Sequence, residues 1–147
     1  MVLLLLLPGS CAGGGAGGNA VVVERDSPAV GKDGRLVEDV GLETFGGVFT
    51  PLLKAGCATP CGDAELFSTA QDNQTRIEVS LFRGRGEKVS QTHPLADCYV
   101  ADIPPAPRGV PQIEVTVEAA EKEIRLSAFD NATKRPVPVR CDARAAR

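Results

Sequence analysis

The chain has 147 residues, enough for one domain and a remainder, and 43% of them are apolar, so a real core is possible over part of the length. Aromatic residues make up only 4%, with no Trp and a single Tyr, and the core must therefore be built from Val, Ile, Leu and Phe. A net charge of −3, with acidic and basic residues interleaved, leaves no basic footprint for nucleic acid and no polybasic patch for a membrane surface, so both are set aside as partners.

Taken in order, the chain opens on the short apolar run MVLLLLL, a Pro-Gly break and the tract AGGGAGG. No Lys or Arg precedes Arg25, which is a poor match to a secretory leader. The run is also far short of the about 20 residues that span a bilayer. Residues 1–39 are expected to be a low-complexity, disordered or linker segment, with Val21 to Val23 as its only strand candidate and Pro28, Gly31 and Gly34 as breakers.

Val40 is expected to begin the structured part. Val40, Leu42 and Thr44 alternate with Gly41, Glu43 and Phe45; Gly46-Gly47 permits a tight turn, and Val48 to Leu53 reads as the returning strand. Pro51 cannot donate to a ladder, which places that strand at an edge or a bulge. Lys54 to Asp63 reads as a loop and Leu66 to Ala70 as a short strand. After the polar tip Gln71 to Gln74, Arg76 to Phe82 alternates again, with Ile77, Val79 and Leu81 on one face.

Arg83 to Pro94 is polar loop and Leu95 to Ile103 a short strand. Pro104, Pro105, Pro107 and Pro111 then fix φ and remove four backbone donors, so this stretch runs extended and stiff. Directly after it Ile113, Val115 and Val117 alternate with Glu114, Thr116 and Glu118 as a half-buried strand. Glu118 to Glu123 breaks the pattern, Ile124 to Phe129 resumes it, and Val137 to Val139 adds a last strand interrupted by Pro136 and Pro138. Seven or eight short strands separated by loop signals predict an all-β fold, an antiparallel β-sandwich over residues 40–140 with a tail at 141–147.

Within these elements GLETFGGVFTPLL, LFSTAQDNQT and ADIPPAPRGVPQIEVT, followed by IRLSAFDNAT, closely resemble the peptide-binding β-sandwich of the heat-shock protein 70 (DnaK/BiP-type) chaperone family. The likeness runs without a gap from Gly41 to Val117 and more loosely to about Arg140, roughly two thirds of the chain. It implies a channel for an extended apolar peptide. Leu42, Phe67, Ile77, Val79 and Ile113 would line its central pocket, Phe45 and Ala70 would arch over the peptide, and backbone groups around Thr44, Ser68 and Gln74 would hydrogen-bond it. Main-chain bonds to such a strand tolerate many sequences, while one pocket selects an aliphatic side chain. The implied partners are unfolded or extended hydrophobic polypeptides, with co-chaperones of the family beside them, in the cytoplasm or an organellar lumen or matrix.

Full-length members carry an ATPase domain before the sandwich and a helical lid after it. Neither is read in this chain, which has no G-x-x-x-x-G-K-[ST] stretch; no cofactor and no catalysis are expected of it, ATP being used by full-length members through the other domain. MVLLLLLPGSC looks like an altered form of the family's apolar interdomain linker. AGCATPCGDAE replaces a basic and polar loop, and EAAEKE replaces a Gly-containing hairpin turn, which leaves the register after Val117 open. The competing expectation is a degenerate remnant of the family that folds without a working channel.

Cys11, Cys57, Cys61, Cys98 and Cys141 are odd in number and irregularly spaced, which predicts reduced thiols in an intracellular protein. Cys57, Cys61, His93 and Cys98 make a poor zinc set, and His93 has no nucleophile motif near it. Asn73-Gln-Thr75 and Asn131-Ala-Thr133 are formal N-glycosylation triplets that matter only in an exported chain.

Overall fold

The computed structural model describes residues 20–23, 29–120 and 123–143. The Met1 to Leu7 run, the AGGGAGG tract, Cys11 and residues 144–147 lie outside them, together with the leader and linker readings attached to the N-terminus. The strands are β1 (Ala20–Val23), β2 (Asp39–Thr44), β3 (Val48–Leu53), β4 (Cys61–Phe67), β5 (Ile77–Gly84), β6 (Thr92–Val100), β7 (Ile113–Ala120), β8 (Glu123–Asp130), β9 (Arg135–Val137) and β10 (Val139–Ala143).

All the strand pairings are antiparallel. One sheet runs β10-β6-β5-β2-β3 and the other β1-β8-β7-β4, with β9 also beside β8. The expected sandwich is formed: alternate residues of both sheets point inward, Leu42, Val79, Leu81, Ile113, Val115, Val117, Ile124 and Leu126 among them, each at most 2% exposed. Period-two alternation specifies this burial because successive side chains of a strand point to opposite faces. On β7 the polar partners Glu114, Thr116 and Glu118 are correspondingly exposed or half-buried.

Pro51 lies, as its missing N–H requires, on an edge strand, opposite Gly41 where the β2–β3 register shifts. Gly46 and Gly47 take φ of +83° and +74° in the turn between those strands, a region open to Gly.

Several expectations are corrected. Core packing starts before Val40: Ala29, Val30 and Leu36 are buried, Val30 bridges Leu36, and the Leu36 amide donates to the Cys57 carbonyl at 3.1 Å. Composition suggested linker there, but the breakers Gly31 and Gly34 build a turn that folds the segment onto the β3–β4 loop. β4 begins at Cys61, within the stretch read as loop, and ends at Phe67, leaving Ala70 in a loop. Its polar sequence CGDAELF hides a strand that only pairing with β7 reveals.

The hairpin after Val117 does not break at Glu118. Pairing continues through Ala119↔Ile124 and Ala120↔Glu123 with unbroken register, and Glu118 sits opposite Arg125, whose guanidinium lies 3.6 Å from its carboxylate. The last strand is two strands. β9 stays with β8 and β10 pairs with β6, the change of sheet falling at Pro138, which has no N–H to give a ladder. β10 runs through Cys141 to Ala143, so pairing passes the expected boundary at Arg140.

The four cysteines among the described residues are not free thiols. Cys57 is bonded to Cys61, and Cys98 to Cys141, which sits directly opposite it across β6 and β10. A separation of 43 residues gives no sign of that pairing in the sequence; register alone makes the two sulfurs neighbours.

Two consequences can be measured. A Cβ at Gly41 would lie 2.2 Å from the Thr50 carbonyl oxygen and 2.6 Å from the Pro51 Cα, both backbone atoms that cannot swing away. Gly41→Ala should therefore cost about 1–3 kcal/mol, read as a lower urea midpoint at unchanged slope. Removing the Cys98–Cys141 bond as the double Ser variant should cost about 2–4 kcal/mol, the range for a disulfide closing a loop of this length, in the same titration.

Candidate functional site

β2 runs antiparallel to β5, with Leu42 opposite Leu81, so the end of β2 meets the start of β5. Ile77, the first residue of β5, faces Val100, the last of β6, and Phe67, the last of β4, faces Ile113, the first of β7. Six strand ends and the three segments joining them thus lie at one end of the sandwich: the β2–β3 turn (residues 45–47), the β4–β5 loop (68–76) and the proline segment (101–112).

At this end Leu42, Ile77, Val79 and Ile113 belong to one apolar cluster, with Phe67 half-buried against it. The five residues expected to line a pocket thus lie in or against the one core, Leu42, Ile77 and Val79 on the β2–β5 sheet and Phe67 opposite Ile113 on the other. Four of them are sealed: Leu42 and Ile113 are 0% exposed, Val79 1% and Ile77 6%. Phe45, at the β2–β3 turn, is 99% exposed and its ring packs on nothing. Ala70 is exposed on the facing loop, so the two residues expected to form an arch do not touch through the Phe45 ring.

The remaining expected residues hold local structure. Thr44 is half-buried and its Oγ1 lies 2.8 Å from the Thr50 Oγ1, tying the ends of the β2–β3 hairpin. Gln74 organises its own loop: Oε1 accepts from the Ala70 and Gln71 amides at 3.0 and 3.2 Å, while Nε2 donates to the Arg76 carbonyl at 2.7 Å. The Ser68 hydroxyl donates to the Pro111 carbonyl at 2.6 Å.

That last bond is one of a series not anticipated from the sequence. Along the proline segment, the Ile103 amide donates to the Thr75 carbonyl (3.0 Å), the Asn73 amide to the Ala106 carbonyl (2.8 Å), and the Arg108 amide to Asp72 Oδ1 (2.9 Å). The Gly109 amide reaches both the Thr69 carbonyl (3.1 Å) and its buried hydroxyl (3.2 Å). Prolines remove donors here, so the few N–H groups that remain and the carbonyls between them are what the loop can use. The spacing of non-proline residues in that run was the available signal. Beyond the loop, the Arg76 guanidinium stacks 3.5 Å over the Tyr99 ring and its Nε sits 2.8 Å from Glu78, which fixes the entry to β5.

The sulfurs of Cys57, Cys61 and Cys98 are all in disulfides, so none of them is a thiolate available to a metal. His93 lies exposed on β6 opposite Arg83. Among the described residues no helix is long and apolar enough to cross a membrane.

If the proline segment holds the β4–β5 loop, Asp72→Ala should release the Arg108 amide. Hydrogen exchange at Arg108 and Gly109 should then quicken by about tenfold while global stability falls by no more than about 1 kcal/mol, as expected for one exposed hydrogen bond.

Residues 18–144 match the family model described as Hsp70 protein. The match spans both sheets and the converging loops, and so, on sequence and on fold together, this chain belongs to the Hsp70 protein family.

Proposed function

We propose that the loop-bearing end of this sandwich binds short extended hydrophobic segments of unfolded polypeptides, reversibly and with no covalent step. The observation that carries this reading is the gathering of Leu42, Phe67, Ile77, Val79 and Ile113 beneath two loops, in a chain of this family. An aliphatic side chain received there would contribute about 1.5–3 kcal/mol by burial, enough for transient capture. Main-chain bonds along the extended segment would supply affinity without demanding a sequence. Because the lining residues are nearly sealed, entry requires the β2–β3 turn and the β4–β5 loop to part. Phe45, fully exposed beside that entrance, then closes on the bound segment. Co-chaperones of the family are the second class of partner that this reading implies.

The same sealing favours a second reading, a sandwich that keeps the family's fold without a channel. The Ala70 amide, already bonded to Gln74, is one donor fewer for a bound strand. Fluorescence anisotropy with a labelled Leu-rich heptapeptide separates the two. Saturable binding is expected, weakened about tenfold in Phe45→Ala, the factor that about 1.4 kcal/mol produces. The ring packs on nothing, so this variant should melt like the parent. No saturable binding by a chain that melts cooperatively would establish the second reading.

A further inference from the structure

Neither the sandwich nor a peptide channel accounts for a pair of features that occur together. Four of the five cysteines are in disulfides, Cys57 with Cys61 and Cys98 with Cys141. Disulfides persist in secreted, endoplasmic-reticulum and periplasmic proteins, whereas cytosolic thiols are kept reduced. A chain carrying two of them suits an oxidising compartment, the setting in which Asn-x-Thr triplets acquire glycans. This chain has two such triplets, neither with Pro at its centre.

The fold treats the triplets differently. Asn73 is exposed within the β4–β5 loop with φ +60°, a left-handed turn position that Asn tolerates, and Thr75 beside it is exposed too. The Asn73 backbone is anchored through its amide to Ala106, while its carboxamide makes no hydrogen bond among the described residues. Asn131 is half-buried. It follows Asp130, itself 1% exposed, whose carboxylate accepts from the Ala132 and Thr133 amides at 2.9 and 3.3 Å. The second triplet is thus wrapped around a buried acid, and the first presents a free carboxamide on a rigidly held loop.

We propose that Asn73 is an N-glycan acceptor and that its glycan screens the entrance beneath the β4–β5 loop; the screening role rests on the peptide-binding reading above. In the transfer, the Asn73 Nδ2 displaces the pyrophosphate of a lipid-linked oligosaccharide at the anomeric carbon. A C–N bond forms, the C–O bond to pyrophosphate breaks, the lipid pyrophosphate departs and the amide gives up one proton. With the root of the glycan fixed by the strut from Ala106 and Arg108, a large hydrated group stands on the β4–β5 loop, one of those that must part.

The full chain, secreted from cultured eukaryotic cells behind a cleavable leader, tests both halves. On a gel it should show a glycan-sized shift, removed by an endoglycosidase that leaves one sugar, absent in Asn73→Gln and retained in Asn131→Gln. No shift, or one that survives Asn73→Gln, overturns the assignment. With the labelled heptapeptide, trimmed protein should associate at least about threefold faster than the glycosylated form, as expected when a steric constraint on docking is relieved. Equal rates overturn the screening role. A shift that maps to Asn73 on a trimmed protein that captures no peptide would keep the modification while removing both the screening role and the channel.

Discussion

The lacing of the β4–β5 loop to the proline segment is the constraint on which the loop-bearing end depends. A nine-residue loop between strands of different sheets would ordinarily be mobile, since each ordered residue costs about 1–2 kcal/mol of backbone entropy. Here the loop leans on a backbone that has already lost that freedom, because four prolines hold φ near one value before folding begins. Bonds from Ser68, Thr69, Asp72, Asn73 and Thr75 to residues 103–111 then need to order only one of the two partners. Gly109, at φ +81°, turns the segment so that its amide meets Thr69.

The rest of the molecule is arranged to keep that end steady. At one sheet edge, the segment 87–89 closes over the start of β3, through the Phe49 amide to Glu87 and the Val89 amide to Gly47, and Pro51 withholds a donor further along. Both devices discourage a further strand from adding there. At the other edge of that sheet β10 is bonded covalently to β6 through Cys98–Cys141. Arg83, on β5, is 8% exposed and paired with Glu38 at 2.5 Å, which fastens the approach to β2. A charge so buried is favourable only with its partners in place, and Glu38 is one of them.

Set against this rigidity, the peptide-binding reading asks for movement in a few places. The apolar cluster under the loops is sealed, while the residue best placed to report a ligand, Phe45, is wholly exposed on a turn with two glycines at positive φ. A stiff loop opposite a pliable turn permits opening from one side. Affinity then reflects the difference between burying the Phe45 ring and the peptide's side chain and the cost of parting the loops, so capture would be weak and reversible.

Period-two alternation placed Ile77, Val79, Ile113, Val115 and Val117 on the buried face, and Pro51 at an edge, from the sequence alone, because side-chain direction in a strand follows from spacing and a missing N–H follows from residue type. The motif likeness likewise marked Leu42, Phe67, Ile77, Val79 and Ile113, which lie in or against the core. What the chain order could not express is pairing between distant segments. The strand in CGDAELF, the burial of Ala29, Val30 and Leu36, and the Cys98–Cys141 bond each depend on a partner far away in sequence. The same holds for the sealing of Leu42 and Ile113: composition marks them as apolar, but whether a gap or a neighbour fills the space above them is settled only when the two sheets and their loops close.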